Sequence, residues 1–276
     1  MKRFLGILSA LIARTGTAHL GLIAAGVAFF GMLAAFPALA ALVAVWGLFA
    51  DPALVREEIE AARDILPPEA FDILAAQIDA LVSAPASRLG WTTGLTLAVA
   101  LWSARAGVAA LVQGLNAVHG VENRGGLWHQ LVSLLLTLAL VGVALTLLAA
   151  GVAVPLVLAL APLGPFEVWI VTGLRWTVLP LLTLTGLGIV YRYGPNLPGR
   201  RTAFLSPGLW TAFVLWVAAS EGFAIYLANF ASYNAVYGSI GAVAALLMWL
   251  YLSAYAVLLG GALNAVLQDA GRPARQ

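Results

Sequence analysis

The chain contains no cysteine, so it holds no disulfide, no thiolate nucleophile and no Cys-based metal site. Histidine occurs only as His19, His119 and His129, and no two of them have metal-ligand spacing. Charge is scarce too. Only 9% of the 276 residues are charged, against roughly 25% in an ordinary soluble domain. In their place stands apolar bulk: 62% of the residues are hydrophobic and the mean hydropathy is +0.98. Such a chain cannot cover a globular surface with polar groups and must face lipid. A soluble enzyme, a nucleic-acid-binding domain and a disordered protein are excluded. The pI near 9.2 goes with a net charge of +2 and no basic stripe, which is the pattern of basic loops on a membrane protein. Membrane lipids, and not nucleic acid, are the expected partners.

The few charges are segregated. Residues 51–90 hold eight acids and three arginines, net −5, whereas the remainder holds four acids and eleven basic residues, net +7. Around this insert run six long apolar segments, each able to cross the roughly 30 Å hydrocarbon layer. They cover residues 19–50, 91–118, 127–161, 168–191, 207–230 and 238–267. The first and third are overlong, with Pro37 and Pro155 as candidate kinks. The runs are continuous and not alternating, so a β-barrel is not expected. Residues 1–16 predict a basic amphipathic helix: Phe4, Leu5, Leu8, Leu11 and Ile12 share one face, and Lys2, Arg3 and Arg14 lie off it. A signal peptide also starts this way. Because another apolar segment follows at once, an interfacial helix is the better fit.

Within the insert, Phe71, Leu74, Ala75, Ile78, Leu81 and Val82 form a helical stripe, and Leu54, Val55, Ala62, Ile65 and Leu66 form a partial one. Pro67-Pro68 separates them. The pattern predicts a helical hairpin over the membrane with its acidic side to water, serving as a cap over the bundle mouth or as a gate or partner surface. Lys and Arg collect at the N-terminus, in the loops after spans two and four and at the C-terminus, which predicts both termini in the cytoplasm and the acidic hairpin outside. The fold expected is therefore an all-α integral membrane protein: one membrane domain, a six-transmembrane-helix bundle with an N-terminal amphipathic helix and an extracytoplasmic hairpin. Small residues such as Ala24 and Ala28, or Ala256, Gly260 and Asn264, recur at spacings that let helices approach closely. They also suit a homo-oligomer.

Charges inside spans are costly and often functional. Arg105 and Glu221 each lie about 21 Å along their helices, near mid-membrane, which predicts an ion pair if the two helices touch. Asn116 lies about 20° around the helix from Arg105, and so on the same face. Ser253, Gly260 and Asn264 form a similar stripe on the last span. Such stripes line a hydrated path or tie helices together; the pattern alone leaves both open. Arg175 is placed to snorkel to headgroups. Asn229, Tyr233, Asn234 and Tyr237 concentrate amides and aromatics between the last two spans. They form an interfacial belt or a headgroup site at the outer mouth. His119, Glu122 and His129 read as a solvated turn. No G-x-S-x-G, H-E-x-x-H or P-loop occurs, so neither an enzyme nor a cofactor is expected.

Several stretches, taken in order, resemble a known family. They include Ala24-Ala25-Gly26-Val27-Ala28-Phe29-Phe30, Phe36-Pro37, Gly47-Leu48-Phe49-Ala50-Asp51-Pro52 and Leu101-Trp102-Ser103-Ala104-Arg105. Further on come Leu115-Asn116-Ala117-Val118-His119-Gly120-Val121-Glu122, Tyr191-Arg192-Tyr193-Gly194-Pro195-Asn196, Phe223-Ala224-Ile225-Tyr226, Ser232-Tyr233-Asn234-Ala235-Val236-Tyr237-Gly238 and Leu258-Leu259-Gly260. From about residue 20 to about 268 the chain resembles the YihY/BrkB family of bacterial inner-membrane proteins, once labelled ribonuclease BN. The resemblance implies six spans, a role in envelope integrity and transport of a lipid or other solute. It places Arg105, Asn116, Tyr233, Tyr237 and Gly238 on family motif positions. Two positions depart from the family: His119 stands where Tyr is frequent, and Ala262 where Glu is frequent, so no proton-coupling carboxylate is expected at 262. The function expected is movement of a lipid or small solute along a polar path. The alternative is a non-transporting scaffold that docks partners and supports the envelope.

Overall fold

The computed structural model describes residues 2–49, 86–160, 167–197, 202–229 and 239–270. Within them the chain is helical, with no strand. In order come α1 (Lys2–Thr17), α2 (Leu20–Phe49), α3 (Ala86–His119), α4 (Gly126–Leu160), α5 (Glu167–Tyr193), α6 (Pro207–Asn229) and α7 (Ser239–Ala270). Helices are the outcome that apolar runs in lipid require, because every backbone N–H and C=O must find its partner within the segment. The expected hairpin at 51–90 falls outside the described residues up to the start of α3. So do Tyr233, Asn234, Tyr237 and the side chains of Arg175 and Asn229.

The other boundaries fall within a few residues of the apolar runs. Helix α2 continues unbroken through Pro37, α4 through Pro155 and α5 through Pro180. Stretches Gly94–His119, Gly126–Thr146, Pro207–Leu227 and Val243–Ala270 are long and apolar enough to cross a membrane. A fifth crossing exists if α1 and α2, bent by 58°, are one span. Helix α5 covers the remaining expected span with 27 residues. The bend sits at His19, whose φ of 50° is left-handed, a conformation uncommon outside glycine. There α1 swings away from α2, and Arg14 of α1 reaches Asp269 in the last turn of α7 at 2.7 Å.

The helix ends are chemically marked. Gly120, at φ 64°, closes α3: its N–H donates to the Ala117 carbonyl, and the Val121 N–H donates to the Asn116 carbonyl. This is the Schellman pattern, in which glycine takes the left-handed position without a Cβ penalty. At the start of α6, Ser206 caps and Pro207 takes the first helical position, where no N–H is needed.

Helix α7 packs against α2, α3 and α6. Helix α3 packs against α2 and α4, and the circuit closes through α4 to α5 and α5 to α6. The buried core lies toward one end of this bundle. It joins Leu20 and Ala24 of α2, Leu115 and Val118 of α3, Val190 and Tyr191 of α5, Leu209 and Ala212 of α6, and Ala254, Leu258 and Ala262 of α7. Most of these residues are in turns next to the end where α1 sits, hereafter the α1 end. Exposed apolar side chains occur at both ends, such as Leu22, Leu127 and Leu205 near the α1 end and Leu95, Trp102 and Ile225 toward the other. Glycines mark the close approaches. A Cβ at Gly114, Gly188, Gly208, Gly260 or Gly261, near the α1 end, would collide with a neighbour. At Gly94, Gly142, Gly173 or Gly222 it would meet nothing within 4 Å. Lipid tails are as apolar as leucine, so association here rests on close packing and hydrogen bonds, and small residues decide where it happens.

Candidate functional site

Three of the five polar residues expected inside spans are engaged in ties between elements. Asn116, 1% exposed, uses its whole amide: Nδ2 donates to Asn123 Oδ1 at 2.8 Å, and Oδ1 accepts the Asn196 N–H at 2.7 Å. The Asn196 amide in turn donates to the Glu122 carbonyl at 3.1 Å. Beside it, Arg124 donates to the carbonyls of Gly194 and Pro195, the latter at 2.7 Å. A cation at the carbonyls just past the last turn of α5 is the favourable arrangement at a helix C-terminus. Burial draws this guanidinium below its ordinary pKa by desolvation. The α3–α4 loop is thereby knotted to the end of α5.

Asn264, 3% exposed, performs the same service for α6. Its Oδ1 accepts the Gly208 N–H at 2.8 Å, and its Nδ2 donates to Ser206 Oγ at 2.9 Å. Ser206 Oγ also accepts the Leu209 N–H at 3.3 Å. With Pro207 lacking an N–H, two of the three donors left orphaned at the start of α6 are met by this pair. Ser253 accepts from Trp216 Nε1, and Ser220 accepts from Trp249 Nε1, both at 3.2 Å; each bond crosses between α6 and α7. Tyr191 adds a tie that sequence reasoning did not single out: its hydroxyl donates to the Val257 carbonyl at 2.6 Å. Only the Ser206-Pro207 start of α6 carried a local sequence signal. The reach of Tyr191 to α7, of Trp216 to Ser253 and of Arg124 to α5 depends on tertiary packing.

Arg105 and Glu221 do not form the expected ion pair. Arg14–Asp269 is the ion pair among the described residues. The physical reason is topological: α7 packs against both α3 and α6, and Glu221 is exposed about 100° around α6 from Ser220, which bonds α7. Arg105 is half-buried, with its guanidinium 4.6 Å from the Trp102 ring centre and its Nε buried without a hydrogen-bond partner among the described residues. The expectation of a solvated histidine turn is also corrected. His119 and His129 are half-buried, each with Nε2 enclosed and lacking such a partner, and His119 Nδ1 bonds the Leu115 carbonyl at 2.8 Å. The helices carry both rings into the packed end. Among the described residues no three of His, Asp and Glu gather into a set able to hold a metal.

With this geometry in hand, known proteins supply a comparison. The family model described as Virulence factor BrkB matches residues 11–276. The ribonuclease-like protein YfkH of Bacillus subtilis (strain 168) is 33% identical over 186 residues, covering 66% of this chain and 67% of that protein. A UPF0761 membrane protein of Aeromonas salmonicida (strain A449) is 41% identical over 86 residues, 31% of this chain and 29% of that one. Another from Tolumonas auensis is 38% identical over 90 residues, 32% of this chain and 29% of its own length. These two matches thus span under a third of either partner. No solved structure matches.

Proposed function

Because the chain belongs to the Virulence factor BrkB family of membrane proteins, we propose that it supports the bacterial envelope by moving a lipid or small solute across the inner membrane. In this reading it has six spans, and the α1 end faces the cytoplasm with both termini. The insert 51–90 and Asn229, Tyr233, Asn234 and Tyr237 then lie on the outer side. One observation carries the proposal. Arg105 and Glu221 lie about 21 Å along their helices from the α1 end, where the buried core concentrates, and neither has an ion-pair partner among the described residues. An intramembrane charge of this kind is by default a functional candidate. The cargo engages the bundle at the level of these charges and passes when the ties of Asn116, Asn264 and Arg124 part.

Reconstitution in liposomes tests this. Purified wild type is expected to move labelled phospholipid between leaflets, with Arg105→Ala, still folded, about tenfold slower, a rise of about 1.4 kcal/mol in the barrier. Equal rates in the two proteins would remove Arg105 from the path. The second reading, a scaffold, draws on the engagement of Asn116, Ser253 and Asn264 in ties. Folded wild type that moves no phospholipid would favour it.

A further inference from the structure

Arg105 and Glu221 pose a problem that the described residues of one copy do not solve. Arg105 lies fourteen residues before the end of α3 at His119, and Glu221 fourteen residues after the start of α6 at Pro207. Both ends belong to the α1 end of the bundle, so both charges stand roughly 21 Å from it. They are opposite in sign and equal in depth, and neither has an ion-pair partner among the described residues. Each also adjoins an exposed apolar stripe. On α6, Trp210, Val214, Val217, Glu221 and Ile225 follow one another at spacings of four, three, four and four and are all exposed, Val214 at 61% and Ile225 at 63%. On α3, Leu95, Ala98 and Trp102 lead to Arg105 at spacings of three, four and three, and Trp102 is 67% exposed. Spacing of this kind is that of a helix–helix seam, and Ala98 allows close approach.

A carboxylate displayed among valine, isoleucine and tryptophan at mid-membrane is costly when it faces lipid. The same holds for a guanidinium that lies over the Trp102 ring and has no ion-pair partner among the described residues. Each is the complement of the other, and within the chain α3 and α6 share no extensive contact, while α7 packs against both. We propose that a second copy of this chain covers these stripes, with Glu221 of α6 on one copy paired to Arg105 of α3 on the next. The register that sets the two charges level also sets Ile225 beside Trp102. Every copy carries both faces, so the contact repeats about an axis along the membrane normal and each copy supplies one Arg105 and one Glu221 to the assembly. At rest the pair takes both charges out of lipid contact and fixes the register of the seam, and cargo that engages them under the transport reading displaces it.

The cysteine-free sequence makes the test clean. Two differently tagged copies, one carrying Arg105→Cys and the other Glu221→Cys, are co-expressed and oxidised in native membranes. The expected product is a disulfide-linked species bearing both tags. In parallel, native mass spectrometry of the wild type is expected to give an oligomer. Arg105→Glu or Glu221→Arg alone should weaken association on the order of a hundredfold, as losing a buried charge pair does, and the double reversal should restore it. The restored double variant separates a lost contact from a lost fold. A monomeric wild type, a disulfide that forms only when both cysteines share one chain, or a double reversal no better than the singles would each overturn the proposal.

Discussion

Gly260→Ala is expected to destabilise the protein by about 3 kcal/mol, at the upper end of ordinary overpacking. A Cβ at Gly260 meets three groups at once: the Gly208 carbonyl, the Tyr191 hydroxyl and the Ala212 Cβ. The first belongs to the backbone of α6, and the second is held by its bond to the Val257 carbonyl. None of the three is the far end of a free side chain, so α6 and α7 must separate. The partner position behaves alike, since a Cβ at Gly208 would strike the Gly260 carbonyl and the Asn264 amide. Gly222→Ala, on the same α6 but with nothing within 4 Å, is the matched control and is expected to change stability by less than about 1 kcal/mol, the helix-propensity difference between the two residues. Thermal unfolding of the three purified proteins in one detergent checks the contrast. Equal midpoints would mean that α6 and α7 do not approach as closely as Gly208 and Gly260 imply.

The second large effect is expected at Asn264→Ala. Truncation removes the acceptor of the Gly208 N–H and the donor to Ser206 Oγ. Both partners sit at a buried helix start, and lipid offers no substitute for the lost bonds. A buried donor left without a partner costs about 1–3 kcal/mol, so a loss of about 2 kcal/mol is expected. Asn264→Asp separates the two halves of the tie: its carboxylate oxygen still accepts from Gly208 but cannot donate when ionised. Unfolding of the two variants under the same conditions should place Asn264→Asp apart from Asn264→Ala. If both match wild type, the amide does not hold the start of α6.

The contrast between what the sequence revealed and what it hid follows from range. Hydropathy is a local property, so five of the six apolar runs coincide with the helices to within a few residues, and α3 adds one turn before its expected start. Chain-end chemistry is local too: Gly120 and Ser206-Pro207 can be recognised as stop and start signals. Position along a helix is a matter of counting, and Arg105 and Glu221 each lie fourteen residues from the α1 end of their helices. Whether they meet depends on which helices are neighbours, and no periodicity records that α7 packs against both. The same limit hid the partners of Asn116 and Asn264. An amide on a helix face looks alike whether it lines water or caps a helix 56 residues away in sequence. The lone histidines were misread for the same reason, because burial of His119 and His129 comes from other elements packing over the turn.

The central claim is that the ties at the α1 end are a gate that must part for cargo to pass. The Asn196 N–H and the Asn116 side chain are in direct contact at 2.7 Å, so Asn116→Cys with Asn196→Cys places a reversible lock there in a chain with no other cysteine. Phospholipid translocation in liposomes is measured with this pair oxidised and again after reduction. The gate predicts that translocation stops on oxidation and returns on reduction; translocation at the same rate in both states would contradict it.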